Sequence, residues 1–126
     1  MPFPKRRLVS AVLVTAALGG VAAVAAPSAA FAATPQSIAA GIVPAGQFAS
    51  FEKIISKESG WNIAATNPQS GAYGLGQALP ASKMASAGPD WKTNPKTQIT
   101  WAYDYMNSRY GSPNNAWDFW QAHNWY

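Results

Sequence analysis

The fold prediction starts from residues 51–60, which read FEKIISKESG. One helical face, at spacings i, i+3, i+4 and i+7, holds Phe51, Ile54, Ile55 and Glu58. This is the spacing of an amphipathic α-helix, and Gly60 is a common residue at a helix C-terminus. The pattern predicts a helix over residues 47–59, with a carboxylate at the end of its apolar face.

The segment after this helix is rich in turn signals. Residues 67–71 contain the turn dipeptides Asn-Pro and Ser-Gly, and residues 73–77 read YGLGQ, which two glycines make too short for a helix. This stretch is predicted to be a loop or a small hairpin. A short helix over residues 80–87 is expected to follow it.

Two further helices are predicted near the C-terminus. Asn94 is a good N-cap and Pro95 suits the first helical position, so a helix is expected from there to Gly111. Its apolar stripe would be Ile99, Tyr103, Met106 and Tyr110. A last short helix begins near residue 114 or 115 and carries Trp117, Phe119 and Trp120. The chain is therefore predicted to be mainly helical, with one loop-rich lobe.

The N-terminal residues have the layout of a secretory signal peptide. Basic residues at positions 5–7 precede an apolar, alanine-rich stretch at 8–26, and Ala30-Phe31-Ala32 offers small residues for cleavage. Residues 1–32 are predicted to be the signal peptide, which implies a secreted, extracellular or cell-wall-associated protein. The alternative is a membrane anchor, since the apolar stretch is nearly long enough to span a bilayer. Residues 33–46 are expected to be a linker or weakly ordered start, and residues 47–126 the folded domain.

Charge and composition exclude several classes of partner. The chain has nine basic and five acidic residues, and loss of the signal peptide would leave a net charge of +1. No basic patch then remains for nucleic acid, and no membrane partner is expected after cleavage. No zinc, phosphate or nucleotide motif is visible, so neither a metal nor a cofactor is predicted. Nothing demands more than a monomer.

The domain must fold without disulfides, since the chain has no cysteine. All six tryptophans and all five tyrosines lie after residue 32, and buried aromatic rings contribute large apolar areas. Most of them are expected in the core. Aromatic faces also pack well on pyranose rings, so two or three are expected to line a cleft.

Glu58 is the residue that carries candidate chemistry. A carboxylate on an apolar face and at the negative end of a helix is disfavoured in its ionised form. A carboxyl that keeps its proton near neutral pH is what a glycosidase acid requires. The alternative interpretation is a buried structural bond to a backbone N–H or a tyrosine hydroxyl. Glu52, away from this face, is expected to be a solvated charge.

Most glycosidases use two carboxyl groups. The other acidic residues after position 32 are Glu52, Asp90, Asp104 and Asp118. None is a convincing second catalytic group, because Asp90 lies in a loop and the two later aspartates lie on helices away from the expected cleft. This favours chemistry in which the substrate supplies its own nucleophile.

Two motifs resemble the soluble lytic transglycosylase domain family. The first is Glu58-Ser59 at the end of a helix, and the second is Gly74-Leu75 followed by Gln77. The resemblance covers residues 48–111 and includes the later helix with Gln98 and Tyr105. It implies a mainly α (α+β, lysozyme-like) domain whose loop or short hairpin lobe forms a glycan cleft.

The resemblance also implies roles for individual residues. Glu58 would be the general acid/base, Ser59 would help to orient it, and Gln77 would hydrogen-bond the substrate. The backbones of Gly74 and Gly76 would let a glycan strand approach closely. The alternatives are a helix-end cap for Ser59, a surface turn residue for Gln77, and turn geometry alone for the glycines.

Three aromatic residues are predicted to contact substrate, namely Trp61, Tyr73 and Tyr105. Larger members of the family carry a late Ala-Tyr-Asn motif whose tyrosine reaches the catalytic glutamate, whereas residues 116–120 of this chain read AWDFW. No single residue is assigned that role, and Tyr105 and Trp117 are the two candidates.

The resemblance predicts a peptidoglycan lytic transglycosylase. It would cleave the MurNAc–GlcNAc β-1,4 bond, with the C6 hydroxyl of N-acetylmuramic acid as nucleophile and a 1,6-anhydro product. One alternative is a muramidase that hydrolyses the same bond. The other is a non-catalytic surface protein that binds the cell wall.

Overall fold

The computed structural model describes residues 34–126, so the predicted signal peptide and its cleavage site lie outside the described residues. Within this range there are four α-helices: α1 at Pro35–Ile42, α2 at Ala45–Ser59, α3 at Pro95–Tyr110 and α4 at Pro113–His123. A 3-10 helix at Ala81–Ser86 lies between α2 and α3. The prediction of a mainly helical domain is confirmed.

Helix α1 corrects the expectation that residues 33–46 form a linker. Thr34 accepts a hydrogen bond from the backbone of Ser37, whose side chain in turn accepts from the backbone of Thr34, so a capping box starts the helix. Ala39 and Val43 are buried in the core. α1 packs mainly against α3. The packed face combines Ala39 and Val43 with the partly buried Ile38 and Ile42.

Helices α2 and α3 follow the sequence prediction closely. α2 begins two residues earlier than expected and ends at Gly60, whose φ of 61° is left-handed. α3 is capped by the side chain of Asn94, which accepts a hydrogen bond from the backbone of Lys96, and ends at Gly111. The apolar face of α2 is fully buried at Phe51, Ile54 and Ile55. Local signals were sufficient here because periodicity and caps specify each helix without distant contacts.

Apart from the 3-10 helix, the lobe between α2 and α3 is a loop. Within the described residues it contains no extended strand, only two isolated antiparallel bridges, from Tyr73 to Thr66 and from Tyr73 to Ala78. The predicted hairpin is therefore reduced to a tight turn over residues 74–77. The turn packs into the core through Leu75 and Ala78, neither of which is exposed to solvent.

Gln98 of α3 attaches this loop to the helical body. Its side chain is fully buried, with Oε1 accepting from the backbone N–H of Leu75 at 2.8 Å. Its Nε2 donates to the carbonyl oxygens of Ile63 at 3.0 Å and Trp91 at 2.9 Å. One amide thus ties three points of the loop to α3, which satisfies polar groups that would otherwise be buried without partners.

Helix α4 packs on α2 and α3 and completes the core. Its N-cap is Ser112, and its first turn is attached to α2 through Asn114, whose backbone N–H donates to Gln47. Ser50 of α2 donates to the side chain of Asn114 at 2.6 Å. In the part of the chain that is described, no helix has both the length and the apolar character needed to cross a bilayer.

Candidate functional site

Glu58 lies in the last turn of α2, on the face whose earlier residues are buried. Its carboxyl is half-buried, and burial raises its pKa above the ordinary value. The indole N–H of Trp120 donates a 2.8 Å hydrogen bond to Oε2 of Glu58, which lowers the pKa by a smaller amount. The net effect favours the protonated carboxyl, which is the form that can donate a proton.

The parallel packing of α2 and α4 brings Trp120 to Glu58. The first turns of the two helices meet where Asn114 contacts Gln47 and Ser50. Their last turns meet where Trp120 contacts Glu58. Trp117, one of two residues considered for the place of the late tyrosine, stacks on Trp120 with ring centroids 5.5 Å apart. It is Trp120, three residues later, that makes the hydrogen bond to the glutamate.

Tyr126 also lies close to Glu58, although sequence reasoning gave it no role. Its side chain is partly buried, and its hydroxyl donates a 2.7 Å hydrogen bond to the carbonyl of Gly76. Burial raises the pKa of the phenol well above its usual value, and the negative charge of Glu58 raises it further. The hydroxyl therefore stays neutral and holds the loop beside the carboxyl.

A pocket opens next to Tyr126. It is lined by Gly76, Gln77, Leu79, Lys83, Trp101, Tyr105 and Tyr126. Trp101 and Tyr105, one turn apart on α3, stack with centroids 5.0 Å apart, and Tyr105 meets Tyr126 edge to face at 5.3 Å. Burial raises the pKa of the Tyr105 phenol. Two residues predicted to contact substrate, Gln77 and Tyr105, are thus brought together, with aromatic rings that suit a sugar.

The two polar atoms of the Gln77 side chain have different surroundings. Its Nε2 donates to the carbonyls of Ala65 and Gly74, each at 3.0 Å, and its backbone adopts a positive φ of 52°. Because both partners are acceptors, the amide nitrogen must point at them. The contacts therefore show a residue that holds the loop, and Oε1 is the atom left for a substrate donor.

The glycines of the second motif face the protein itself. A Cβ on Gly74 would lie 2.7 Å from Oε1 of Gln98, and the φ of Gly74 is 82°. A Cβ on Gly76 would lie 3.0 Å from the hydroxyl of Tyr126. These side chains approach both glycines closely, and Gly76 also lines the pocket beside Tyr126. The glycines shape the site indirectly, by allowing the loop to pack on α3 and Tyr126.

Ser59 makes the hydrogen bonds of a helix end. Its Oγ donates to the carbonyl of Ile55 at 3.1 Å and accepts from the backbone N–H of Trp61 at 3.2 Å. The alternative reading of Ser59 as a cap describes these contacts. Any orienting effect on Glu58 would act through the backbone of this last turn.

The other two predicted aromatic contacts lie apart from the pocket lining. Trp61 packs against Phe51 and donates its indole N–H to Ser56. Tyr73 meets Trp91 edge to face at 5.9 Å, and its hydroxyl donates to the carbonyl of Lys92. Both rings support the loop lobe in the described structure.

Two of the other carboxylates, Asp90 and Glu52, have structural surroundings. Asp90 accepts from Thr97 at 2.6 Å and from Asn94 at 2.7 Å, and these bonds lower its pKa. It stabilises the start of α3. Glu52 accepts from Ser56 one turn along α2. Within residues 34–126, no group of three or more His, Cys, Asp or Glu side chains could hold a metal ion.

Comparison with known families gives one decisive match. Residues 45–125 match the model of the transglycosylase SLT domain, from the first residue of α2 to the residue before Tyr126. The chain belongs to the transglycosylase SLT domain family. The match covers well over half of the chain and includes both motifs from which the resemblance was inferred. No match was found among curated proteins or among solved structures.

Membership of the SLT family places the site in context. The family has a lysozyme-like fold and acts on the glycan strands of cell-wall peptidoglycan. In this SLT domain the half-buried carboxyl of Glu58 lies at the junction of α2, α4 and the glycine-containing loop. Trp120, Tyr126 and Gln98 build that junction, and each reaches it from a distant part of the chain.

Proposed function

We propose that this protein is a secreted peptidoglycan lytic transglycosylase that uses Glu58 as its single catalytic acid/base. The observation that carries the proposal is the half-buried carboxyl of Glu58, whose pKa is raised by burial while Trp120 fixes its position. The family match supports a reaction on peptidoglycan glycan strands. The layout of residues 1–32 supports secretion, and the mature chain is proposed to act as a monomer.

The reaction begins with proton transfer from Glu58. The protonated carboxyl donates to the glycosidic oxygen between N-acetylmuramic acid and N-acetylglucosamine while the bond from C1 to that oxygen breaks. The acetamido group of the sugar stabilises the positive charge that develops. A carboxyl with a raised pKa suits this step because it retains its proton nearer to neutral pH.

The second step closes the product ring. The C6 hydroxyl of N-acetylmuramic acid attacks C1, and the Glu58 carboxylate accepts the proton of that hydroxyl. The product is a 1,6-anhydro sugar, and the carboxyl is protonated again for the next turnover. One carboxyl group serves both steps, which agrees with the structural surroundings of Asp90 and Glu52.

The pocket beside Tyr126 is the proposed position of one sugar of the strand. The partly exposed ring of Tyr105, which stacks on the buried ring of Trp101, would pack against the sugar, and Oε1 of Gln77 would accept from a hydroxyl or amide. Ser59, Trp61, Tyr73 and Gly74 are proposed to support the site through the helix end and the loop. No metal or cofactor is required by this chemistry.

Product analysis tests the proposal. The full chain is incubated with purified peptidoglycan, and soluble muropeptides are identified by mass spectrometry. The proposal expects 1,6-anhydromuramic products. Products with reducing muramic ends, heavier by one water, would identify a muramidase instead. Binding to the wall without released products would identify a non-catalytic binding protein.

A further inference from the structure

Two lysines and two tryptophans lie along the contact between α2 and α4, and we refer to these four residues as the α2–α4 seam. The Nζ of Lys53 is 5.8 Å from the ring centroid of Trp117, and that of Lys57 is 5.9 Å from the ring centroid of Trp120. The two indoles stack with an interplanar angle of 20°. Both lysines are exposed, so the seam presents two cations above an aromatic layer.

One residue of the seam contacts the proposed catalytic residue. Trp120 donates its indole N–H to Glu58, and Lys57 precedes Glu58 in the chain. Lys53 lies about one helical turn earlier, on the same side of α2 as Lys57. Lys57 is thus linked to Glu58 through Trp120, and Lys53 lies one turn further from Glu58 along α2.

The two positive charges of the seam favour an anionic ligand. Like charges four residues apart on a helix repel one another, so the pair is more favourable when an anion lies between or above the two groups. The glycan backbone of peptidoglycan is neutral, whereas the peptide attached to N-acetylmuramic acid carries carboxylates. We propose that the seam binds the carboxylates of this stem peptide on the sugar held next to Glu58. The inference rests on the proposed function.

A lysine above an indole is not by itself a binding site. A second lysine–tryptophan pair in the loop lobe serves for comparison. The Nζ of Lys92 lies 5.9 Å from the ring centroid of Trp91, at the same distance as the seam pairs. That pair is single and belongs to the loop lobe, where the carbonyl of Lys92 accepts from Tyr73. The seam differs because it holds two cations four residues apart, and because Trp120 of the seam hydrogen-bonds the proposed catalytic carboxyl.

Binding to two kinds of glycan strand tests the inference. Soluble strands of matched length are prepared with and without stem peptides, after removal of other anionic wall polymers. Affinity is measured calorimetrically for the full chain carrying Glu58→Gln, so that the strands stay intact. The substitutions Lys53→Met and Lys57→Met are then combined in this same chain. Methionine retains an apolar stem over each indole while removing the charge. Lys92→Met is the matched control.

The seam predicts a selective loss. The double variant should bind peptide-bearing strands about tenfold more weakly, which two exposed charge interactions can account for, and this difference should shrink as salt is raised. Its affinity for strands without peptides should not change, and Lys92→Met should change neither affinity. Equal weakening on both strand types, no weakening on either, or failure to bind either strand would overturn the inference.

The proposed function is tested separately from the seam. The protein with its native Glu58 is incubated with strands that lack stem peptides, and cleavage is followed by mass spectrometry. Cleavage that is the same in the native protein and in the double lysine variant supports both proposals. If the native protein cleaves neither these strands nor strands with stem peptides, but the double lysine variant still shows the selective loss of affinity, the catalytic proposal fails and the seam remains a binding site for acidic peptide.

Discussion

The indole N–H of Trp120 donates a 2.8 Å hydrogen bond to the carboxyl of Glu58 and so joins the last turns of α4 and α2. Burial raises the pKa of this carboxyl, and the bond from Trp120 lowers it by a smaller amount. Trp120 therefore fixes the position of the carboxyl without removing its tendency to hold a proton. This balance is what a group that first donates and later accepts a proton requires.

Replacing Trp120 tests this balance. Trp120→Phe removes the donor, so the pKa of Glu58 should rise further. Because the protonated carboxyl starts the proposed reaction, the alkaline limb of the kcat/KM profile should move to higher pH. Loss of positioning should also lower kcat by about tenfold. Trp117→Phe, which removes no bond to Glu58, should leave the alkaline limb in place, and an equal shift in both variants would contradict this role.

Glu58 should lower the stability of the protein at neutral pH. Its folded pKa lies above the unfolded value, so ionisation costs folding free energy once the pH exceeds the unfolded pKa, and the penalty is complete above the folded pKa. Glu58→Gln keeps an acceptor for Trp120 and removes this penalty. Thermal unfolding at pH 7 should show a gain of a few degrees in Tm.

The gain from Glu58→Gln should disappear in acid. Below the unfolded pKa the carboxyl is protonated in both states, so the native protein and the variant should have similar Tm values. A gain that persists unchanged in acid would mean that the variant stabilises the protein by some other route than loss of the charge.

Alanine substitutions at two glycines with similar φ angles distinguish the cost of backbone strain from the cost of steric overlap. Gly74 and Gly71 have φ values of 82° and 83°, but a Cβ would meet Gln98 at 2.7 Å only at Gly74. Gly71→Ala should cost about 1 kcal/mol of unfolding free energy for its angle alone. Gly74→Ala should cost about 3 kcal/mol, because it also displaces the buried amide that ties the loop to α3. Urea unfolding measures both, and equal costs would contradict the role of Gln98.

Two tyrosines of α3 test the proposed sugar position. Both Tyr103 and Tyr105 pack against the core, but only Tyr105 lines the pocket beside Tyr126. Tyr105→Ala should raise KM for peptidoglycan about tenfold through loss of an aromatic contact. Tyr103→Ala should reduce stability by about 2 kcal/mol with little change in KM. Steady-state kinetics below the unfolding temperature of both variants distinguishes these effects.

The sequence predicted those features that have local signals. The periodicity of residues 51–58 and the caps at Asn94 and Gly111 specify α2 and α3, and a carboxylate on an apolar face identified Glu58. Helix α1 was missed because its alanine-rich sequence resembles a linker, although Thr34 and Ser37 form a capping box. The prediction followed the alanine-rich composition of this segment and not the capping residues.

The partners of Glu58 and of the loop could not be predicted in the same way. Trp120 reaches Glu58 across 62 positions, and Tyr126 reaches Gly76 across 50. The bond from Leu75 to Gln98 spans 23. Contacts of this kind depend on how helices pack and leave no periodic pattern in the chain. Sequence reasoning therefore singled out Glu58 as the candidate acid/base, but it did not predict that Gln98 and Tyr126 pack beside Gly74 and Gly76.

The central claim is that Glu58 is the acid/base, and the chain offers a control on the same helix. Glu52 accepts from Ser56, as Glu58 accepts from Trp120, but lies away from the buried face. The most direct measurement compares the initial rate of muropeptide release from peptidoglycan for the native chain, Glu58→Gln and Glu52→Gln. Loss of at least about 10²-fold in the first variant only is the expected result. Release by Glu58→Gln at a rate close to that of the native chain would contradict the account.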